Sequence, residues 1–320
     1  MSGSLTGVEQ RLLGELLRFH AARSRGEVIE LRSATAQRPR FRQPLRRSYA
    51  IQNLVVIGAL AAVAVLLLVR ATGLGTGPAL AATPRPLHYN APPPGAPTGR
   101  GVLLNLARAA ARQAAPAPSP GRRYAYVKTV GWYLTLGQGA GAGHVFPQAR
   151  RSWLKADGSG RMVTTTGTHT QISRLTVGSE PRLLDLSTNP RVLADELAVG
   201  HPRSDGPQEQ LVAFTDTASQ QPISPPAEAA ILRLLARTPD LVNRGSVTDR
   251  AGRRGVAVSF DATRLGNRYT LILDPRTGGL LGFEQTLIGS AARRHVRPGA
   301  VLAYTTIINA GYVDSTTSTP

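Results

Sequence analysis

The sequence predicts an α+β protein: an outer antiparallel sheet, with a half-barrel as its candidate form, packed with short helices and carried on one transmembrane helix. Three observations point there. Residues 54 to 69 are apolar without interruption. Two short stretches, 186–197 and 224–238, carry the start and stop signals of helices. From residue 241 onward, five β-rich segments follow one another across short turns.

The first fifty residues read as an arm on the cytoplasmic side. Within "TGVEQRLLGELLRFHAARSR" (6–25), Thr6 and Glu9 have capping-box spacing. Leu5, Val8, Leu12, Leu16 and Phe19 recur at steps of three and four, so they share one helix face. Residues 1–50 hold no other apolar segment to cover that face. Val8, Leu12, Leu16 and Phe19 are therefore the candidate partner or lipid face, and either an anionic membrane surface or a protein partner would serve.

Residues 51–70 read as the membrane helix. Eleven of the residues from 54 to 69 are Leu, Ile or Val. At about −0.4 kcal/mol each they favour insertion by roughly 4 kcal/mol. The competing reading, a buried helix of a soluble core, rarely runs this far without a polar position. Ten arginines against four glutamates in residues 1–50 place the N-terminus in the cytoplasm and the rest outside. "ALAATP" (79–84) contains an A-x-A cleavage pattern at Ala79-Leu80-Ala81, but the segment before it is too long for an ordinary signal peptide, so an uncleaved anchor is expected.

Residues 71–98, rich in Pro, Gly, Ala and Thr, read as a flexible stalk, and residues 99–320 as the extracytoplasmic α+β domain. Its first element is an amphipathic helix, "GVLLNLARAAARQAA" (101–115), with Thr98 as cap. "YAYVKTV" and "WYLTL" read as short strands, and "RRSWLKADGSGRMVTTT" (150–166) as a hairpin turning at Asp157-Gly158. Asn189 caps a helix opening at Pro190, and Ser224 caps one opening at Pro225, with Glu228 set to favour its positive start. "LVNRGSVTD", "RGVAVSFD", "YTLILD", "LLGFEQTL" and "VLAYTTIINAGYVD" then predict a five-strand meander.

Composition narrows the function. The net charge is +19 and almost all of the cations are arginine, spread without a dense basic run, and no nucleic-acid-binding signature is present. The chain has no cysteine, which removes thiolate chemistry, disulfides and cysteine zinc sites. No two histidines have metal-ligand spacing, so neither a metal nor a cofactor is expected. "GQGAGAGH" (137–144) is glycine-rich but leads into a strand, whereas a phosphate loop opens a helix. His169, among threonines, is the one candidate base for a hydrolase built from scattered hydroxyls, and no nucleophile motif accompanies it. Asp195-Glu196 and Arg253-Arg254 read as solvated charges. "DPRTGG" (274–279) holds an acid and an arginine inside an apolar stretch, yet each residue is explained by turn chemistry.

"GSVTDRAGRRGVAVSFD" (245–261), "LILDPRTGGLLG" (271–282) and "AYTTIINAGYVDS" (303–315), with "WLKADGSGR" (153–161) and "LSTNPRVLADEL" (186–197), resemble a family of uncharacterised actinobacterial single-pass membrane proteins. Genes of that family often lie beside genes for extracytoplasmic-function sigma factors. The resemblance implies a membrane-bound regulator with a sigma factor as partner, and it carries no catalytic residues. Without cysteine, a zinc-bound anti-sigma module of the His-Cys-Cys type is excluded. The pattern of sheet plus helices is also similar to the half-barrel of lipoprotein-carrier and envelope-stress sensor domains. The expected function is thus a non-enzymatic membrane protein with an outer sensing or binding domain. The alternatives are an outer binding protein for an apolar ligand or lipid, held in the concave face of the sheet, and a hydrolase.

Overall fold

The computed structural model describes residues 83–114, 123–135, 144–179, 181, 183–289 and 296–320. The arm with Val8, Leu12, Leu16 and Phe19, the apolar run and the "GQGAGAG" loop lie outside them. Among the described residues no helix is long and apolar enough to cross a membrane.

The strands are β1 (Tyr89–Asn90), β2 (Tyr124–Thr135), β3 (His144–Leu154), β4 (Gly160–Thr166), β5 (His169–Leu175), β6 (Val242–Thr248), β7 (Arg254–Ala262), β8 (Asn267–Leu273), β9 (Leu280–Leu287) and β10 (Val301–Val313). They form one antiparallel sheet in the order β1-β6-β7-β8-β9-β10-β2-β3-β4-β5. The helices are α1 (Gly99–Ala111), α2 (Pro190–Leu197), α3 (Gln208–Ala218) and α4 (Pro225–Leu235), with a 3-10 turn at Arg203–Asp205. The α+β class and the β6–β10 meander agree with the sequence.

Period-two alternation sorts the side chains of the central strands. Val258 and Phe260 of β7, Tyr269, Leu271 and Leu273 of β8, Phe283 of β9 and Ile307 of β10 face the helices. There they meet Leu103 and Leu106 of α1, Leu211 and Phe214 of α3, and Ile231, Leu232 and Leu235 of α4 in one buried cluster. Each such side chain, fully buried, contributes roughly 1.5–3 kcal/mol. Ala257, Ile272 and Leu281 point the other way, into a smaller cluster with Val247.

Leu87 and Tyr89 cover that second cluster. The chain from 83 to 90, within the stretch whose composition reads as stalk, crosses the back of the sheet as a strap. Tyr89 pairs with Val247 and Asn90 with Ser246. Gly245 permits the close approach: its φ is 82°, and a Cβ there would stand 1.9 Å from the Asn90 carbonyl oxygen. Beneath the strap lies Glu284, wholly buried. Its carboxylate accepts hydrogen bonds from the Leu87 amide (3.2 Å), the Tyr89 hydroxyl (3.0 Å) and Arg250 Nη2. Arg250 also donates to the Arg85 carbonyl at 3.0 Å, and its guanidinium lies 4.1 Å from the Tyr304 ring centroid. Burial, then the Glu284 charge and its hydrogen bond, push the Tyr89 phenol well above its ordinary pKa, so it stays a donor.

The turn at 274–279 is structural. Asp274 Oδ1 accepts from the Arg276 amide at 2.8 Å, the Asp274 and Gly279 backbones bond at 2.8 Å, and Gly278 takes φ 80°. The turn rests on α1 and α4, where a Cβ on Gly278 would approach the Leu106 carbonyl oxygen to 2.9 Å. Thr98 and Asn189 cap their helices through side-chain oxygens, as their sequence positions predict.

Further details differ from the sequence reading. "YAYVKTV" and "WYLTL" are one strand, β2, continuous through Gly131. Ser224 occupies the cap position of α4, but its side chain makes no capping bond. Glu228 does lie in the first turn of α4, but it is buried and burial raises its pKa, so it does not supply the negative charge expected there. Arg253 is not a solvated turn charge: it pairs with Asp249 and donates to the carbonyls of Leu281 (3.1 Å) and Ile307 (2.7 Å), which ties the turn to the meander.

Candidate binding pocket

The helix-covered face of the sheet is filled with side chains. A pocket of about 610 Å³ lies within the helical layer. That volume falls in the range of small-molecule sites. Its walls come from α2, the 3-10 turn, the start of α3, and the segment running out of the end of α4.

His201 lies in this wall between two acids. Its Nδ1 is 3.3 Å from Glu209 Oε2 and its Nε2 3.5 Å from Asp216 Oδ2. The local sequence explains the arrangement. Glu209 and Asp216 are seven residues apart on α3, two helical turns, and so face the same way. Gly200, at φ 78°, reverses the chain after α2 and leads into His201. Burial alone would lower the histidine pKa. The hydrogen bond to Glu209, together with the charges of Asp216 and Glu209, outweighs it, and the pKa is raised above the ordinary value.

Cations surround the pocket. Arg203 donates to Asp195 Oδ1 at 2.7 Å, both of them largely in solvent. Arg191 and Arg237 line the same space and are exposed. Leu197 and Leu234 supply apolar wall. Thr238 is 8% exposed and its hydroxyl has no hydrogen-bond partner among the described residues.

Asp195 is solvated, as its sequence position suggests, while Glu196 accepts the Ser187 amide at 2.9 Å and fastens the loop ahead of α2. His169 lies exposed at the start of β5 opposite Thr166, and the neighbouring hydroxyls of Thr165 and Thr170 bond to each other at 2.9 Å. No group of acids and histidines among the described residues is arranged to hold a metal. Sequence reasoning did not find the His201 site. Its acids lie eight and fifteen residues from His201, outside metal-ligand spacing, and residues 208–218 carry no cap signal. Reading that segment as a helix would have put Glu209 and Asp216 on one face, with His201 eight residues before Glu209.

Comparison with protein-family models and with curated proteins gives no match. Among solved structures, twelve chains match. One is a domain from Vibrio parahaemolyticus that carries the description outer membrane lipoprotein-sorting protein. It is 9% identical, with a TM-score of 0.19, over 65% of this chain and 91% of that one.

Proposed function

We propose that the chain is a non-enzymatic single-pass membrane protein whose outer α+β domain binds a small molecule in the pocket beside His201 and whose inner arm passes the bound state to a protein partner. The pocket supports the binding half: it is a space of ligand size, walled by both apolar and charged groups. Binding is favoured over hydrolysis because both ring nitrogens of His201 lie against carboxylates, leaving neither to serve as base toward a hydroxyl. An apolar ligand under the helices would have to displace a filled core, which makes it the weaker reading.

Membrane attachment rests on the apolar run at 54–69 and the one-sided arginine charge. Protease added to intact cells is expected to digest the chain beyond Arg70 and to leave residues 1–50 protected. The reverse pattern of protection overturns the orientation.

The partner is expected on the face formed by Val8, Leu12, Leu16 and Phe19, and the family resemblance suggests a sigma factor. Changing Leu12→Asp and Leu16→Asp together should abolish co-purification of a specific protein with the detergent-extracted chain and alter transcription of neighbouring genes. If the parent arm captures no protein and the double change affects only lipid binding, the arm is a surface anchor and the regulatory half of the reading fails.

A further inference from the structure

The acids in the pocket are already engaged, and two of its cations are not. Asp195 is held by Arg203, and Glu209 by His201. Arg191, in the first turn of α2, and Arg237, just beyond the end of α4, both line the pocket. Among the described residues no carboxylate pairs with either. They project from different elements toward one concavity, where like charges repel and a shared counter-ion is favoured.

Thr238, next to Arg237, adds a second and independent observation. Its hydroxyl is shielded from water yet has no partner among the described residues, a state that is costly to leave uncompensated. Thr238 lines the pocket, and a turn of its side chain toward that space would bring the hydroxyl to a ligand oxygen. On the other side the wall is apolar, through Leu197, Leu234 and Pro207. The pocket therefore offers cations and a hydroxyl donor at one part and a greasy surface at another.

We propose that the pocket takes a small organic anion, its phosphate or carboxylate group engaged by Arg191, Arg237 and the Thr238 hydroxyl and its apolar part laid against Leu197 and Leu234. This inference deepens the binding role proposed above and rests on it. Arginine suits the task because its planar fork donates two hydrogen bonds to an oxyanion at once.

Phenyl phosphate is the probe, with benzyl alcohol as its neutral counterpart and inorganic phosphate as the anion without an apolar part. Binding to the full chain in neutral detergent is read by phosphorus or proton NMR line broadening. Phenyl phosphate should bind saturably, and more tightly than either control. Changing Arg191→Gln and Arg237→Gln together should weaken it by about tenfold or more, as loss of charge-assisted hydrogen bonds does. Thr238→Val, nearly isosteric, should weaken it by a smaller factor. Both arginines are exposed, and the unfolding transition of the double variant, followed by tryptophan fluorescence, checks that the fold is intact. Should benzyl alcohol bind as tightly as phenyl phosphate and ignore the arginine changes, the pocket is a ligand site but not an anion site, and this inference alone is overturned. If inorganic phosphate binds as well as phenyl phosphate, the apolar half of the recognition is wrong. If no probe binds, the binding role itself falls with it.

Discussion

Changing Glu228→Gln is expected to make the domain markedly more stable at pH 8 while leaving it nearly unchanged at pH 4.5. Glu228 sits in the first turn of α4, is buried, and has one carboxyl oxygen without a hydrogen-bond partner among the described residues. Burial, only partly offset by the Leu280 backbone, pushes its pKa up to about 8 from an ordinary 4.5. A folded pKa above the unfolded one means that folding takes up a proton. The stability is complete below pH 4.5 and is lost progressively as pH rises toward 8. At about 1.4 kcal/mol per unit, the loss is roughly 3 kcal/mol by pH 7 and about 4 kcal/mol at pH 8. Glutamine keeps the shape and removes the titration. The raised His201 pKa acts with the same sign: its contribution is present below the ordinary histidine value and disappears as pH climbs through the folded one. Urea unfolding followed through the buried Trp132 and Trp153 reads both effects. If parent and Glu228→Gln curves stay parallel across pH, the carboxyl is ionised in the core and the assignment is wrong.

Arg250→Met should cost about 3–5 kcal/mol, the scale observed when one partner of a buried ion pair is removed. Glu284 is wholly buried, so among the described residues its charge would be left with the Leu87 amide and the Tyr89 hydroxyl as donors. The strap should loosen with it, and chymotrypsin should cut after Tyr89 sooner than in the parent. Adding Glu284→Gln to Arg250→Met should recover much of the loss, because the uncompensated charge is gone. A loss below about 1 kcal/mol in the single variant, as for a solvated pair, would show that Glu284 does not depend on Arg250.

What could be read in advance follows from how local the signals are. The Asp157-Gly158 turn, the Asp274 turn and the Thr98 and Asn189 caps are each decided within a few residues, and each is found where the sequence puts it. Helix α3 escaped for three physical reasons. Pro207 takes its cap position without a side-chain bond. Thr215 and Thr217, poor helix formers, bond back to the carbonyls of Leu211 and Ala213. The helix is also buried on nearly every side, which erases the polar stripe that marks an amphipathic one. β5 lies at the edge with most of its side chains exposed, so its alternation carries little signal. The pocket was illegible because its walls come from separate elements. Glu228, Glu284 and Arg253 have sequence surroundings much like those of solvated charges, and only the packing of distant strands and helices decides that they are buried or bound.

The position of β10 sets the order in which the sheet can be completed. It follows every other strand in the chain, yet it lies in the middle, with Thr306 opposite both Gly282 of β9 and Val130 of β2. Until it arrives, the inner edges of β9 and β2 have no neighbour, and the hairpins on either side are separate bodies. Closing the β2–β10 pair joins residues far apart in sequence, and such non-local closure slows folding. Any state in which β10 is unpaired presents two bare strand edges, the kind of surface on which copies of a protein pair wrongly with one another.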